Sequence, residues 1–354
     1  MSKIRFGIIG AGGIAAKLHL PELADLRDRA EVTLISGRHQ HRLDRLRQQF
    51  PMVAATTTDY EEVIASDKVD AVIIATPHTH HVQWGIEAIK AGKHVLMQKP
   101  LCADLEEADA FVKAVEASDR TVLVMPHFQP QVYTILEDMK AGKLGKLTAV
   151  RSRTAHGGPD VYYREVATLF GEDPPEDLWF FDARRASVGA LFDMGVYAVA
   201  HIVALAGKID RVQAFTATVD KPTTLEDSAM ILLQTACGAL ATAETSWCDG
   251  ARTWEISAHG TQGKIVCNET GMTEHKPLSF DSDHATIDRT PREPGNGKGN
   301  CHEHFLDCVQ ERVSPPLSHA HAARHVTEIL LAALTSAREQ RSIPIQSSPH
   351  PGGA

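Results

Sequence analysis

The sequence predicts an α/β fold, with a parallel-sheet domain at residues 1–125 and an α+β domain with a mixed, largely antiparallel sheet at residues 126–354. Three observations lead to this prediction. A chain of 354 residues exceeds what one hydrophobic core usually fills. Strand-like and helical runs alternate up to about residue 125, which is typical of βαβ units. After that point short alternating strands dominate, which favours antiparallel pairing.

In the first domain, apolar runs of strand length alternate with runs of helical periodicity. The predicted strands are Arg5–Ile9, Val32–Ser36, Ala71–Ala75, His94–Met97 and Val122–Pro126. The predicted helices are Ala15–Leu26, Arg42–Phe50, Tyr60–Ala65, His81–Ala91 and Leu105–Ser118. Because a helix separates most successive strands, we expect a parallel sheet with helices on its faces.

In the second domain, short strands are joined by links that contain glycine. The predicted strands are Leu147–Ser152, Asp210–Thr218, Ser228–Thr235, Gly238–Ser246, Arg252–His259 and Lys264–Cys267. Two helices are predicted, at about Gly189–Leu205 and His319–Glu339, and the Asp-, Pro- and Gly-rich segment Pro277–Gly299 is predicted to be an exposed loop.

Composition and charge exclude several classes of protein. The net charge of −9 and the pI near 6.1 leave no basic face for nucleic acid. No apolar run is long enough for a membrane span, and no leader peptide is recognisable, so we expect a soluble cytoplasmic protein. The six cysteines lack the spacing of a disulfide framework, and the segment Cys301-His302-Glu303-His304 with Cys308 fits no common zinc pattern, so no metal is expected.

A glycine-rich turn follows the first strand directly, with the sequence Gly10-Ala11-Gly12-Gly13-Ile14-Ala15. In this GxGxxA pattern Gly10 permits the tight turn, Gly12 lets the backbone approach a pyrophosphate, and the helix that follows offers its N–H groups to phosphate. The turn therefore predicts a dinucleotide site in a Rossmann domain, and a glycine-rich turn without a ligand stays open as the alternative.

The end of the second strand reads Ser36-Gly37-Arg38, where an NAD-preferring site usually has Asp or Glu. A carboxylate there would bind the ribose 2′-hydroxyl and repel a 2′-phosphate, whereas Ser36 and Arg38 can donate to one. The sequence therefore favours NADP over NAD, with a solvated loop as the alternative for Arg38.

Polar segments follow the next two predicted strands, where ligands collect in a doubly wound sheet. The first contains Thr76-Pro77-His78 and His81, and the second is Gln98-Lys99-Pro100. A later helix carries Ser187-Val188-Gly189-Ala190-Leu191-Phe192-Asp193-Met194-Gly195-Val196-Tyr197. With the glycine turn, these segments resemble the TPNxxH, EKP and GGGALxDxGxH motifs of the glucose-fructose oxidoreductase and inositol dehydrogenase (Gfo/Idh/MocA) family.

The resemblance implies a Rossmann domain followed by a sheet domain that also forms homodimers or homotetramers. It implies that Lys99 lies between nicotinamide and substrate, that Tyr197 handles the hydroxyl proton, and that Asp193 binds the substrate. Thr76, Pro77, His78, His81 and Gln98 are expected near the cofactor. Independently, the spacing of four puts Asp193 and Tyr197 on one helix face, and an ammonium close to a phenol stabilises the phenolate.

The chain departs from the family pattern in places. Gln98 replaces the usual Glu before the lysine, His78 replaces the common Asn, and Ala200 occupies a position that is often acidic. These changes leave the substrate open. For the substrate pocket, Trp179 and Asp182 lie in a WF-type segment that suits the apolar face of a sugar, and His156 lies on a loop that can carry a donor.

The predicted function is hydride transfer between NADP or NAD and a hydroxyl or keto carbon of a sugar or cyclic polyol. Two alternatives stay open: a lyase or sugar–sugar oxidoreductase that recycles a tightly bound cofactor, and a sensor that only binds the nucleotide or sugar. The presence of both Lys99 and Tyr197 argues against the sensor, because binding alone needs no acid–base pair.

Overall fold

The computed structural model describes residues 3–279, 286–295 and 297–350. These residues form two compact units. The first contains the chain up to His127 together with Asp160–Asp177 and Gly299–Arg324, and the second contains Phe128–Pro159, Leu178–Lys298 and the chain from His325 onward. The sequence analysis drew one boundary at residues 125 and 126, whereas the structure returns the chain to the first unit twice.

The first unit is built on a six-stranded parallel sheet with the order β3-β2-β1-β4-β5-β6. Its strands are β1 Ile4–Ile9, β2 Ala30–Ser36, β3 Val53–Thr57, β4 Ala71–Ile74, β5 His94–Met97 and β6 Val122–Val124. Its helices are α1 Leu20–Asp25, α2 Gln40–Gln49, α3 Tyr60–Ala65, α4 His81–Lys90 and α5 Leu105–Glu116, with most of α7 Pro159–Phe170, all of α10 Cys301–Glu311 and the start of α11 Ala320–Glu339. This is the strand order of the Rossmann fold, as predicted.

Both faces of this sheet are buried, because neighbouring residues of one strand enter different hydrophobic clusters. Ile8 packs in the cluster that contains α7 and α10 residues such as Val166 and Phe305, whereas Ile9 packs in the cluster that contains Val82 and Phe111. Side chains alternate between the two faces of a strand, so a doubly covered sheet requires such continuous apolar runs.

The second unit holds a nine-stranded mixed sheet with the order β14-β13-β12-β11-β7-β10-β9-β8-β15. Its strands are β7 Leu147–Ala155, β8 Ile209–Ala217, β9 Ser228–Thr235, β10 Leu240–Ser246, β11 Thr253–Gly260, β12 Gly263–Asn268, β13 Gly271–Ser279, β14 Thr286–Arg292 and β15 Ile343–Pro344. The helices are α6 Pro130–Lys140, α8 Ala183–Ala186, α9 Val196–Ala206 and the rest of α11. Only β7 and β10 pair in parallel; the other described pairs are antiparallel.

Contrary to the sequence analysis, which found no run long enough for a membrane span, the helical stretch Ala183–Ala206 is long and apolar enough to cross a membrane; 78% of its most apolar 18-residue segment is buried inside the protein. Hydrogen bonds from Thr154 Oγ1 to the Met194 carbonyl and between Ser152 Oγ and His201 Nδ1 attach this stretch to β7. This stretch is therefore part of the core of the second unit.

Several local predictions differ from the structure. The short edge strand β3 was missed, because its sequence VAATT carries little apolar signal. The helices α6, α7 and α10 and the two-residue strand β15 were also missed. The segment Pro277–Gly299, predicted to be a loop, contains the end of β13 and all of β14, whose Asp, Pro and Arg residues hide the strand pattern; residues 280–285 and 296 lie outside the described residues.

Candidate active site

The glycine turn after β1 has the geometry that a dinucleotide requires. Gly10 has a φ of +116°, and a Cβ there would collide with the carbonyl oxygen of Ala75. Around Gly12 a Cβ would meet nothing within 4 Å, whereas one at Gly13 would collide with Val166. Ile14 precedes a turn of π-helix, Ala15–His19, that leads into α1. The turn is thus closely packed at Gly10 and Gly13 and open at Gly12, which fits the approach of a pyrophosphate to the backbone.

The segment after β4 supplies a second indication of a ligand. Thr76 Oγ1 is buried and has no hydrogen-bond partner within the described residues. Such an atom is costly unless a ligand or water meets it, so Thr76 fits a polar cofactor. Pro77 is exposed and begins the short helical turn of His78, which is 7% exposed.

His81, predicted to contact the cofactor, braces two segments of the first unit. Its Nδ1 lies 2.7 Å from the Pro100 carbonyl and its Nε2 lies 2.8 Å from the Thr76 carbonyl. Burial lowers the pKa of His81 to about 4, so the neutral ring donates to one of these two carbonyls. The ring thereby connects the segment after β4 with the segment that carries Lys99.

At the end of β2, the three predicted residues have different environments. Ser36 is fully buried and donates to the Ile8 carbonyl at 3.3 Å, and Gly37 packs against Ala11. Arg38 is exposed. The neighbouring Arg42 donates hydrogen bonds to the Glu172 carboxylate. These hydrogen bonds lower the pKa of Glu172 to about 2. Of the two arginines, Arg38 is therefore the one left exposed at the end of β2.

Lys99 follows β5, and Gln98 precedes it in a buried position. Met97 pairs with Ile74 in the parallel sheet, so the residues that follow both strands leave at the same edge. The Gln98 amide nitrogen lies 3.0 Å from His19 Nε2. The side chain predicted to contact the cofactor is thus engaged inside the first unit.

In the second unit, Asp193 lies in a turn of π-helix, Leu191–Gly195, at the start of α9. Such turns are frequent at functional sites. The indole nitrogen of Trp247 donates to Asp193 Oδ2 at 2.9 Å, and His156 Nε2 lies 3.4 Å from the same oxygen. Because Gly158 N donates to His156 Nδ1 at 2.8 Å, the His156 proton resides on Nε2 and points at Asp193.

The parallel pairing of β7 with β10 brings these residues together. Ser246 is the partner of Ala155, so Trp247 and His156, which follow them, leave the sheet at the same edge. Glu226 accepts hydrogen bonds from Gly189 N and Leu191 N and thereby caps the turn that carries Asp193. The sequence analysis missed Trp247 and Glu226; a signal for Trp247 was its place directly after a predicted strand.

An aromatic cluster surrounds this carboxylate. Tyr197 packs against the hydrophobic cluster of Ala190, Met194 and Trp247, and the ring of Phe180 lies 6.2 Å from that of Trp247. Trp179 contacts Phe180 with ring centroids 4.1 Å apart. Asp182, predicted for the substrate pocket, caps α8: it accepts from Arg184 N at 2.9 Å and pairs with the Arg184 guanidinium. Aromatic faces around a carboxylate suit a sugar, which has apolar faces and hydroxyl donors.

Potential metal ligands also meet in the first unit. One ligand atom each from Glu22, Cys301 and His302 lie within 4.8 Å of one another. His302 Nδ1 is 2.8 Å from Glu22 Oε2, and the Cys301 thiol is 3.4 Å from the same oxygen. These are the distances of hydrogen bonds among an imidazole, a thiol and a carboxylate.

Two family models match the chain. The oxidoreductase family model with an NAD-binding Rossmann fold matches residues 4–125, and the GFO/IDH/MocA C-terminal domain model matches residues 133–266. Together they cover both the glycine turn and the turn that carries Asp193.

Known proteins show the same relationship. An uncharacterized oxidoreductase, ORF334 of Rhizobium meliloti, is 31% identical over 56% of this chain and 55% of its own length. D-xylose 1-dehydrogenase (NADP(+)) 2 of Haloferax volcanii is 29% identical over 74% of this chain and 75% of its own length. The match spans about half the length of the first of these relatives.

Solved structures share the fold along nearly the whole chain. Levoglucosan dehydrogenase in complex with NADH superposes with a TM-score of 0.83, at 21% identity, over 98% of this chain and 100% of that one. At this identity the likeness shows the fold.

Proposed function

Because this chain belongs to the Gfo/Idh/MocA oxidoreductase family, we propose that it is an NAD(P)-dependent dehydrogenase or reductase of a sugar or cyclic polyol. The observation that carries the proposal is the Asp193 carboxylate, held by Trp247 and His156 beside an aromatic cluster. The similarity to a D-xylose dehydrogenase and to a levoglucosan dehydrogenase supports a monosaccharide-sized substrate.

Each residue has a role in this proposal. The glycine turn Gly10–Ala15 would hold a nicotinamide cofactor, which would supply the hydride chemistry at the alcohol or keto carbon. Asp193 accepts a hydrogen bond from a sugar hydroxyl, and the aromatic cluster excludes water from the apolar face of the ring. Tyr197 takes or returns the hydroxyl proton, and the Lys99 ammonium stabilises the negative charge that develops on oxygen.

The first experiment mixes the purified protein with NADP⁺ or NAD⁺ and a panel of pentoses, hexoses, inositols and anhydrosugars. Reduced cofactor in excess over enzyme, followed by its absorbance, is the expected result. A protein that purifies with bound nicotinamide and converts sugars without net release of reduced cofactor would instead be a lyase or sugar–sugar oxidoreductase. Tight nucleotide binding with no conversion of any sugar would contradict both enzyme proposals and favour the sensor.

We propose NADP as the preferred cofactor, because Arg38 is exposed at the end of β2 and no carboxylate follows that strand directly. Replacing Arg38 by alanine should raise the Kd for NADPH by about tenfold and leave the Kd for NADH nearly unchanged, since one charge-assisted contact to the 2′-phosphate is lost. Fluorescence titration with the two cofactors measures both values.

Arg45→Ala is the matched control for Arg38→Ala. Arg45 is also exposed and lies on α2, so its removal changes the net charge equally. An equal loss of NADPH affinity in both variants would indicate a general charge effect and would contradict a specific contact by Arg38. A stronger binding of NADH than NADPH by the unchanged protein would overturn the preference.

We propose that a second copy of this chain packs on the open face of the second unit's sheet. Phe215, Met230, Leu232 and Leu240 are 70%, 62%, 58% and 65% exposed. The register places them on the same face, because Phe215 pairs with Met230 and Leu240 pairs with Gln234, four positions along β9 from Met230. Several large apolar side chains on one face exceed the scattered exposure that is normal for a monomer.

Light scattering should therefore give a multiple of the 38.6 kDa chain mass for the unchanged protein. The double substitution Met230→Lys with Leu232→Lys should shift it towards the monomer, because ammonium groups cannot be buried unpaired against an apolar face. Val313→Lys, at an apolar residue 45% exposed in the first unit, is the control. A monomeric unchanged protein at micromolar concentration would contradict the proposal.

The cytoplasmic location stays a proposal, supported by the six free cysteines. The cytosol keeps such thiols reduced.

A further inference from the structure

Four polar side chains form a continuous hydrogen-bonded chain inside the first unit. Gln98 Nε2 lies 3.0 Å from His19 Nε2, and His19 Nδ1 lies 2.9 Å from His302 Nε2. His302 Nδ1 lies 2.8 Å from Glu22 Oε2. The two imidazoles are fully buried and meet edge to face, with ring centroids 5.0 Å apart. Every ring nitrogen of the two histidines has a hydrogen-bond partner. A proton therefore cannot move from one ring nitrogen to the other without reversing a neighbouring hydrogen bond.

Both ends of the chain impose the same direction of hydrogen bonding. At one end an ionised Glu22 can only accept, so His302 Nδ1 carries a hydrogen. Burial raises the pKa of Glu22, but its hydrogen bonds from His302 and the Cys301 thiol lower it, and the net shift is downward. Burial lowers the pKa of His19 well below its usual range, so that ring is neutral.

At the other end, the backbone N–H of Lys99 donates to Gln98 Oε1 at 3.3 Å, which turns the amide nitrogen of Gln98 towards His19. That nitrogen can only donate, so His19 Nε2 accepts and its Nδ1 carries the hydrogen. His302 Nε2 then accepts from His19. Each group therefore donates to the next, from Gln98 through His19 and His302 to Glu22, and no two donors or two acceptors face each other.

We propose that His19, His302 and Glu22 are positioning residues for Lys99, and that their one-way chain requires an amide donor at position 98. This inference rests on the proposed function for the role of Lys99. The Gln98 side chain connects this series of hydrogen bonds to the backbone N–H of Lys99. The hydrogen bonds among the four side chains therefore fix the position of Lys99.

With both imidazoles neutral, a glutamate at position 98 cannot complete this chain; His302 would have to take up a second proton. The new carboxylate would need a hydrogen on His19 Nε2, and the neutral ring would then need one from His302 Nε2. His302 Nδ1 would consequently face the Glu22 carboxylate without a hydrogen. A buried acceptor facing a carboxylate is destabilising. A second exchange, Glu22→Gln, removes this conflict, because the glutamine amide donates to His302 Nδ1 and the whole chain runs in reverse.

The test is a pair of exchanges with a charge-matched control. Gln98→Glu alone should lower Tm by about 4 °C and kcat by about tenfold. Adding Glu22→Gln should restore most of both losses. Adding Glu106→Gln instead, at an exposed position of α5, gives the same net charge and should restore neither. Circular dichroism gives Tm at a pH of about 8.5, well above the ordinary pKa of an imidazole, and turnover is measured at the same pH well below every Tm.

The outcomes separate the parts of the proposal. If Glu22→Gln fails to raise the Tm of the Gln98→Glu variant above that of the control, the one-way chain is wrong. If Tm follows the expected pattern but kcat stays at the unchanged protein's value in all variants, the chain is structural and the positioning role is overturned. Failure of the proposed function would show as no turnover by the unchanged protein, and the Tm comparison would still decide the direction of the chain.

Discussion

Replacing Lys99 by alanine is expected to lower kcat by about 10²- to 10⁴-fold, the range that a positioned acid, base or charge contributes, while the nucleotide still binds. The expectation follows from the position of Lys99 directly after β5. The segment with the buried Thr76 hydroxyl leaves the parallel sheet at the same edge, after β4. Gly10 and Gly12, which shape the turn for the nucleotide, are untouched. Stopped-flow measurement of turnover and fluorescence titration of the cofactor separate the two effects.

Two further variants define the chemistry. Lys99→Arg keeps the charge but supplies a group that cannot release its proton, so activity retained by arginine assigns Lys99 an electrostatic role, and activity lost assigns it proton transfer. Tyr197→Phe keeps the ring that packs against the cluster containing Trp247 and removes the hydroxyl, and a loss as large as that of Lys99→Ala is expected. Full activity of Lys99→Ala with a confirmed sugar substrate would contradict the proposed mechanism.

Much of the first unit could be predicted, because local signals and the fold agree there. Tyr60–Ala65 was predicted with the bounds that the structure has, and the glycine turn lies where a strand passes into a helix. The return of Asp160–Asp177 and Gly299–Arg324 to this unit could not be predicted. These segments pack through residues such as Val166 and Phe305, and their sequence indicates burial without indicating the surface that they cover.

The site in the second unit shows the same limit. Asp193, Tyr197 and His156 were each predicted, but their relation depends on Trp247, which the sequence analysis did not select. That relation arises from the parallel pairing of β7 with β10, which are separated by three helices and two strands along the chain. Pairing over such a distance leaves no local pattern. The environment of Gln98 was hidden for the same reason, since α10 supplies His302 from the far end of the sequence.

Asp193→Asn is expected to lower kcat/KM for the sugar by about 10- to 100-fold with a Tm close to that of the unchanged protein. The amide has the shape of the carboxylate, and its oxygen can accept from both Trp247 and His156, so the fold is kept. The negative charge is lost, and a hydrogen bond from a sugar hydroxyl to a neutral oxygen is weaker than one to a carboxylate. Steady-state kinetics with the preferred cofactor measure the change.

Asp193→Ala provides the contrast, because it removes the acceptor altogether. The Trp247 indole N–H, whose side chain is fully buried, and the His156 Nε2–H then lose their common partner, so Tm should fall as well as activity. Trp247→Phe keeps an aromatic ring and deletes one donor, which should weaken sugar binding less than Asp193→Asn does. An unchanged kcat/KM for Asp193→Asn would show that the carboxylate is there to hold Trp247 and His156, and the sugar would have to bind through other groups.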